Sequence, residues 1–158
     1  QSRRRTPLKH NKASTMKTQK LKTKQPLDIS PKVTGIGGIF FFTENPKDTN
    51  DWYAKNLGLV TNEWGSTFQT RNIHKPEEVN ALQWSPFKKG SSYFAPSKKE
   101  FMINYTVQNI EALVNKLKEN GVPVLDDIAT YDYGKFVHIM DPEGNKIELW
   151  EPVKQGAE

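Results

Sequence analysis

The stretch Asp141-Pro142-Glu143-Gly144-Asn145-Lys146-Ile147-Glu148-Leu149-Trp150 decides how this chain is read. Its first five residues have the makeup of a tight turn: Asp starts it, Pro presets φ, and Gly and Asn tolerate positive φ. The last five alternate polar and apolar, the pattern of a half-buried strand. Ile147 and Leu149 face one way; Lys146, Glu148 and Trp150 face the other. A carboxylate is thereby set mid-strand, beside a tryptophan, on a face able to line a cavity.

Working outward, the chain from Val33 onward carries one pattern twice. The first copy opens with an apolar strand over 36–43. Asn45 suits a helix N-cap and Pro46 the first helical position. The helix runs to about residue 56, with Trp52, Tyr53 and Leu57 on its apolar side, and Gly58 is its C-cap. Strands are expected over 59–64, 67–71 and 80–85. The second copy opens with a strand over 101–107. Asn109 caps the next helix, in which Ile110, Leu113, Val114 and Leu117 recur at helical spacing, and Gly121 ends it. Strands over 122–125, 134–140 and 145–150 complete it. Residues 88–99, rich in Ser, Pro, Gly and Lys, join the copies as a loop.

Each copy therefore reads strand–helix–strand–strand–strand. A small sheet with one helix leaves a face uncovered, so the two must pair. The expected fold is α+β: two βαβββ modules, about 33–87 and 100–152, forming a curved mixed sheet around a cleft with both helices outside. Residues 153–158 are left as a short C-terminal tail.

Composition narrows the function classes. The 158 residues suit one domain, and eight Phe, five Tyr and four Trp enrich it in aromatics. The absence of cysteine excludes disulfides, thiolate metal sites and a Cys nucleophile. No apolar run reaches the ~18 residues of a membrane helix, and no signal-peptide core is evident, so a cytoplasmic protein is expected. The net charge of +5 is unevenly spread. Residues 1–32 hold ten Lys/Arg and one acid, a net of +9, which leaves 13 basic and 17 acidic residues, a net of −4, in the remainder. With few large apolar side chains, residues 1–32 read as a disordered basic arm. Nucleic acid is expected as a partner only through that arm, which lacks interleaved aromatics for base stacking. Residues 1–15 read as a vector-derived leader, with Met16 as the natural start.

The turn and strand over 141–150, together with the order of the two copies, closely resemble the vicinal oxygen chelate superfamily. This group holds glyoxalase I, bleomycin-resistance proteins, fosfomycin-resistance enzymes and extradiol dioxygenases. The resemblance covers about 33–152 and implies the paired-module fold described above. It also implies metal ligands on the first and last strands of each module, usually His or Glu. Carried over position by position, these fall on Gly38, near Gln83, on Met102 or its same-face neighbour Asn104, and on Glu148. Glycine has no donor, and methionine is a poor ligand for a hard cation. Only Glu148 matches as a metal ligand, so a two-His, two-carboxylate centre is not assembled and no cofactor is expected.

Three histidines are present. His10 lies in the arm and His74 in a loop beside Lys75 and Pro76. His138 lies mid-strand on one face with Phe136 and Met140. It reads first as a structural histidine hydrogen-bonded within the sheet, and otherwise as a catalytic base beside Glu148. The inner face of the curved sheet collects Phe40, Phe42, Gln83, Ser85, Asn104, His138, Glu148 and Trp150. Trp64, Phe68, Arg71 and Tyr133 fall at the rim, where Arg71 is placed to anchor an anion. Phe41, Trp52 and Trp84 read as core. No Ser-His-Asp arrangement or phosphate loop is present. Gly35-Ile36-Gly37-Gly38 leads into no helix and fails the dinucleotide context.

The chain is thus read as a metal-independent small-molecule binding protein, with Phe40, Gln83, Asn104, His138, Trp150, Arg71 and Tyr133 contacting a hydrophobic or aromatic ligand. A homodimer is expected, since resembled proteins commonly pair. The alternative is a divergent lyase, isomerase or dioxygenase with a relocated divalent metal, in which Glu148, Gln83, His138 and Asn104 are the ligands or acid–base groups.

Overall fold

The computed structural model describes residues 26–153. Of the basic arm expected over 1–32, residues 1–25 lie outside the described residues, as do residues 154–158 of the C-terminal tail; within 26–32, the Asp28 and Ser30 carbonyls accept from Gln108 Nε2 and Lys32 already begins a strand. The elements are β1 (Lys32–Thr43), α1 (Pro46–Leu57), β2 (Ser66–Arg71), β3 (Val79–Lys88), a 3-10 turn (Ser92–Phe94), β4 (Phe101–Gln108), α2 (Ile110–Glu119), β5 (Ala129–Tyr131), β6 (Gly134–Met140) and β7 (Lys146–Pro152).

One open mixed sheet runs β2-β3-β1-β4-β7-β6-β5. Each module sets its first strand parallel to its last, β1 beside β3 and β4 beside β7. The remaining strands continue outward in antiparallel pairs. The modules join within the chain, where β1 and β4 run antiparallel at the centre. The α+β paired-module fold is as expected, but two short strands are not. Residues 59–64 give a turn closed by an isolated Asn62–Gly65 bridge. There the Asn62 side chain accepts the Trp64 N–H, and Gly65 sits at φ 115°. Such local bonding competes with a ladder. Residues 122–125 are reduced to a Val124–Ile139 bridge, since Pro123 has no N–H to give a ladder. The short β5 takes the outer place instead.

Helix α1 is built as its sequence implies. Asn45 Oδ1 accepts the Asp48 N–H at 3.2 Å, Pro46 opens the helix, and Gly58 closes it at φ 70°. Helix α2 differs. Asn109 adopts φ 54°, and its side chain donates to the Ile29 carbonyl rather than capping. The cap comes from across the fold: Glu151 Oε2 of β7 accepts the Ile110 N–H at 2.9 Å. Its charge also complements the helix dipole.

Both helices lie on one side of the sheet. Ile110, Leu113 and Val114 of α2 pack on Val107, Val137, Ile139 and Leu149 to form the main core. Tyr53 of α1 reaches Trp84, with ring centroids 4.7 Å apart, and Trp84 meets Phe41 at 5.1 Å. Trp52 is not core: it is 55 % exposed, on the outer side of α1. The opposite side holds a second core of Phe40, Phe94 and Met102, backed by Phe42 and Phe87. The inter-module segment therefore covers part of the face expected to be an open cleft. Phe94 stacks on Phe42 at 4.4 Å, and Lys146 Nζ donates to the Tyr93 and Ala95 carbonyls.

Loss of the long-range cap should be measurable. Glu151→Ala is expected to lower unfolding free energy by about 1 kcal/mol in urea titration, and Glu151→Gln by less because its amide oxygen still accepts. Equal stability of wild type and Glu151→Ala would show that Glu151 is no cap.

Candidate functional site

The strand register lines up one row of residues across the sheet, on the side away from the helices. Thr67 pairs with Gln83, Gln83 with Gly38, Gly38 with Asn104, Asn104 with Glu148, and Glu148 with His138. The four positions singled out from the first and last strands are thus consecutive neighbours. Asn104, not Met102, occupies the row; Met102 pairs with Phe40 one step along and is fully buried.

At the acidic end of the row, Glu148 is only 3 % exposed. Such a carboxylate must be compensated. Its Oε1 accepts from Asn104 Nδ2 at 2.7 Å. Its Oε2 lies 2.7 Å from His138 Nε2 and also accepts the Tyr93 hydroxyl. On the far side of the imidazole, His138 Nδ1 lies 2.6 Å from Asp126 Oδ2, and Asp126 Oδ1 accepts the His138 backbone N–H at 2.7 Å. Asp126 thus fixes both the ring and the strand that carries it.

This geometry orders the charges. Burial pushes the Glu148 carboxyl up, but hydrogen bonds from His138, Tyr93 and Asn104 outweigh it and hold the group below its ordinary 4.5. Burial pushes the His138 imidazole down, but Glu148 and Asp126 together raise it above its ordinary 6.5. Burial and the adjacent Glu148 charge push the Tyr93 phenol far up, so it stays a neutral donor. The centre is a buried carboxylate beside an imidazole that its two acidic neighbours hold toward the protonated form, with a second carboxylate outside it and a phenol over it.

At the other end, Gln83 is fully engaged. Its Oε1 accepts from Thr67 Oγ1 at 2.6 Å, and its Nε2 donates to the Trp64 carbonyl and to Ser85 Oγ. Between the ends, a Cβ on Gly38 would stand 2.8 Å from the Phe40 ring. Phe40 therefore occupies the space a first-strand ligand would need. Asn104 Oδ1 is buried with no partner, one neutral donor alone. The residues present do not fit a tetradentate metal centre: one position lacks a donor, Gln83 is committed, and both Glu148 oxygens are taken.

The other candidates separate. Trp150 lies on the same face beside Glu148, parallel to Phe136 with centroids 5.8 Å apart, and its Nε1 donates to the Tyr133 carbonyl. Tyr133 is 61 % exposed and stacks on Tyr131 at 5.3 Å. Phe40 lies beneath the inter-module segment instead of lining an open cleft. Arg71 is at the far end of β2, donating to the Pro76 carbonyl at 2.8 Å, so it closes its own hairpin. Phe68 pairs with Leu82, one step off the row, and points to the helix side, not the rim. His74 is exposed, as expected. Shallow depressions of about 400 Å³ at the start of α1 and about 250 Å³ between α2 and the 126–128 loop lie elsewhere.

Sequence reasoning passed over Tyr93 and Asp126. The Tyr93-Phe94 pair was detectable as an aromatic couple inside an otherwise polar linker. Asp126 carries no local signal, since it meets His138 only through the return of β6.

A paired-module α+β sheet with a glutamate on the matching face of its last strand defines a class. The Glyoxalase/Bleomycin resistance protein/Dioxygenase superfamily model matches residues 35–149, and the chain belongs to that superfamily. No curated protein sequence matches it. Among solved structures it is similar to methylmalonyl-CoA epimerase of Streptomyces coelicolor, with TM-score 0.57 and 14 % identity over 77 % of this chain and 99 % of that one. It is also similar to methylmalonyl-CoA epimerase of Mycobacterium tuberculosis, with TM-score 0.52 and 19 % identity over 78 % and 91 %. At these identities the likeness speaks for the fold alone. Among the described residues, no helix is long and apolar enough to cross a membrane.

The Glu148–His138 pair should give stability a two-sided pH profile. Glu148, with its pKa depressed, contributes above its ordinary 4.5 and loses that contribution as pH falls through the lower folded value. His138, with its pKa raised, contributes fully below its ordinary 6.5 and loses that contribution as pH rises through the higher folded value. Unfolding free energy from urea titrations should therefore carry this contribution in full between the two ordinary values. His138→Gln is expected to cost about 3 kcal/mol there, by leaving Glu148 buried without its counter-charge, and to flatten the alkaline fall. An alkaline fall unchanged in His138→Gln would rule out His138 as its source.

Proposed function

We propose that this chain is a metal-independent small-molecule binding protein of its superfamily, acting as a cytoplasmic homodimer. A ligand lies against the β6–β7 end of the sheet face that carries Glu148. One observation carries the reading: the row that would hold a metal is filled by the protein's own side chains. Phe40 takes the space beside Gly38, and Asn104, His138 and Tyr93 use both oxygens of Glu148. A carboxylate so compensated works as a fixed polar anchor and not as a ligand awaiting a cation. Next to it, Trp150, Phe136, Tyr131 and Tyr133 supply apolar area with a few polar groups, the makeup of small-molecule sites. Exposed Ile36, Ile39 and Phe101 on the helix side support self-association, and C2 dimers are the commonest oligomers.

Two measurements test this on the full chain. Elemental analysis of protein purified without chelator is expected to find no stoichiometric divalent ion; about one tightly held ion per chain, released by Glu148→Ala, would overturn metal independence. A thermal-shift screen of aromatic small molecules is expected to yield stabilising compounds, because a ligand bound only by the folded state raises its melting temperature. A screen without a single shift would sink the binding reading.

A further inference from the structure

Trp150 is laid flat on the sheet by two glycines. A Cβ on Gly37 would stand 2.9 Å from Trp150 Cε3, and a Cβ on Gly134 would stand 2.6 Å from Trp150 Nε1. Both edges of the indole therefore press onto bare backbone, where any larger residue would lift the ring. Its N–H is spent on the Tyr133 carbonyl, which ties the platform to the β5–β6 turn. That turn raises Tyr131 and Tyr133, 52 % and 61 % exposed, with rings parallel within 5°. Phe136 stands edge-on to both, at 62° and 67°. The result is a corner of π faces, not a rounded core cluster.

The charged side chains nearest this corner are mostly acidic. Glu148 is the direct neighbour of His138 one step along the strands from the Phe136–Trp150 pair. Asp126 stands behind the imidazole with its side chain 45 % exposed, and exposed Asp132 lies between the two tyrosines in the turn. With His138 protonated, the triad of Glu148, His138 and Asp126 keeps a net negative charge. Among the described strand residues, the basic ones facing this side are Lys32, Arg71 and Lys146. Lys32 is paired with Asp28, while Arg71 at the end of the edge strand β2 and Lys146 at the start of β7 are directed away from the corner to the Pro76, Tyr93 and Ala95 carbonyls. Among the described residues, an anionic ligand at this corner would meet Glu148, Asp126 and Asp132 before any of these three bases. A cation would find aromatic faces and carboxylates together.

We propose that the corner formed by Trp150, Phe136, Tyr131 and Tyr133 binds a planar, positively charged heteroaromatic group, stacked on the aromatic faces and oriented by the acidic groups beside them. This deepens the proposed function and rests on that reading. It sets this site apart from one built for acidic ligands, because the selecting element is the sign of the charge around an aromatic floor.

The test uses one ring system in three charge states at neutral pH: 9-aminoacridine as the cation, acridine as the neutral form and acridine-9-carboxylate as the anion. Binding to the full chain is read by isothermal titration calorimetry. The cation is expected to bind about tenfold or more tighter than the anion, the scale of a partly desolvated cation–π contact with nearby carboxylates. Tyr133→Ala is expected to weaken the cation by about tenfold. Asp132→Asn, a surface change that leaves the fold intact by circular dichroism, should weaken the cation while leaving the neutral ring unchanged. An anion bound as tightly as the cation, or cation binding indifferent to Tyr133→Ala, would overturn this inference and leave the small-molecule reading standing. If all three acridines fail while the thermal-shift screen finds other ligands, the corner is not the subsite. If both experiments are blank, the binding reading falls with it.

Discussion

A carboxylate 3 % exposed in the middle of a sheet is the constraint around which the rest of this side of the molecule is arranged. Left alone, Glu148 would take up a proton or unfold its surroundings, since an unpaired buried charge costs several kcal/mol. Three donors prevent that, and each comes from a different part of the chain: Asn104 from the second module's first strand, His138 from the neighbouring strand, and Tyr93 from the segment between the modules. The imidazole in turn needs Asp126, which also holds the backbone of β6. One buried charge thus ties together β4, β6, β7, the inter-module segment and the loop before β5.

That arrangement explains why the inter-module segment is ordered. A polar loop would be expected to run over the surface. Here Phe94 is buried against Phe40, Phe42 and Met102, while its neighbour Tyr93 satisfies Glu148. The apolar contact and the hydrogen bond support one another. Phe94 brings the phenol to the carboxylate, and the carboxylate gives the 3-10 turn a fixed end. Phe40 is part of the same arrangement, because the missing side chain at Gly38 leaves room for its ring. The bare position at Gly38 and the aromatic core beside it are two views of one packing arrangement.

Much of this was legible in the sequence, because the informative signals were local or periodic. The turn over 141–145, the alternation through Glu148, the Asn45–Pro46 helix start and the apolar spacing of α2 depend on near neighbours, and the paired-module fold followed from them. Strand parity, together with the strand positions that the resemblance implied, placed Glu148 on the face of Asn104, and the register bears this out. What escaped was non-local. Glu151 caps α2 from 41 residues away, and no window around Ile110 contains it. Trp52 looked like core by helical spacing, but α1 touches the sheet mainly through Tyr53 and leaves the neighbouring ring outside. Arg71 had the chemistry of an anion anchor, and its use was decided by the Pro76 carbonyl within its own hairpin.

The glycines of β1 connect the two halves of the site in a way that residue type alone does not reveal. In a strand, glycine weakens pairing and packs nothing, so Gly35-Ile36-Gly37-Gly38 reads as a defect. In the sheet, β1 shifts register between Ile36 and Gly38. Gly37, at that irregularity, leaves the Trp150 indole free to lie across it, and Gly38 leaves space for Phe40. The same short run that removes a metal-ligand position therefore builds an aromatic floor on one side and an aromatic plug on the other. On this face flat aromatic surface lies next to Glu148, which is held as a fixed charge at its edge.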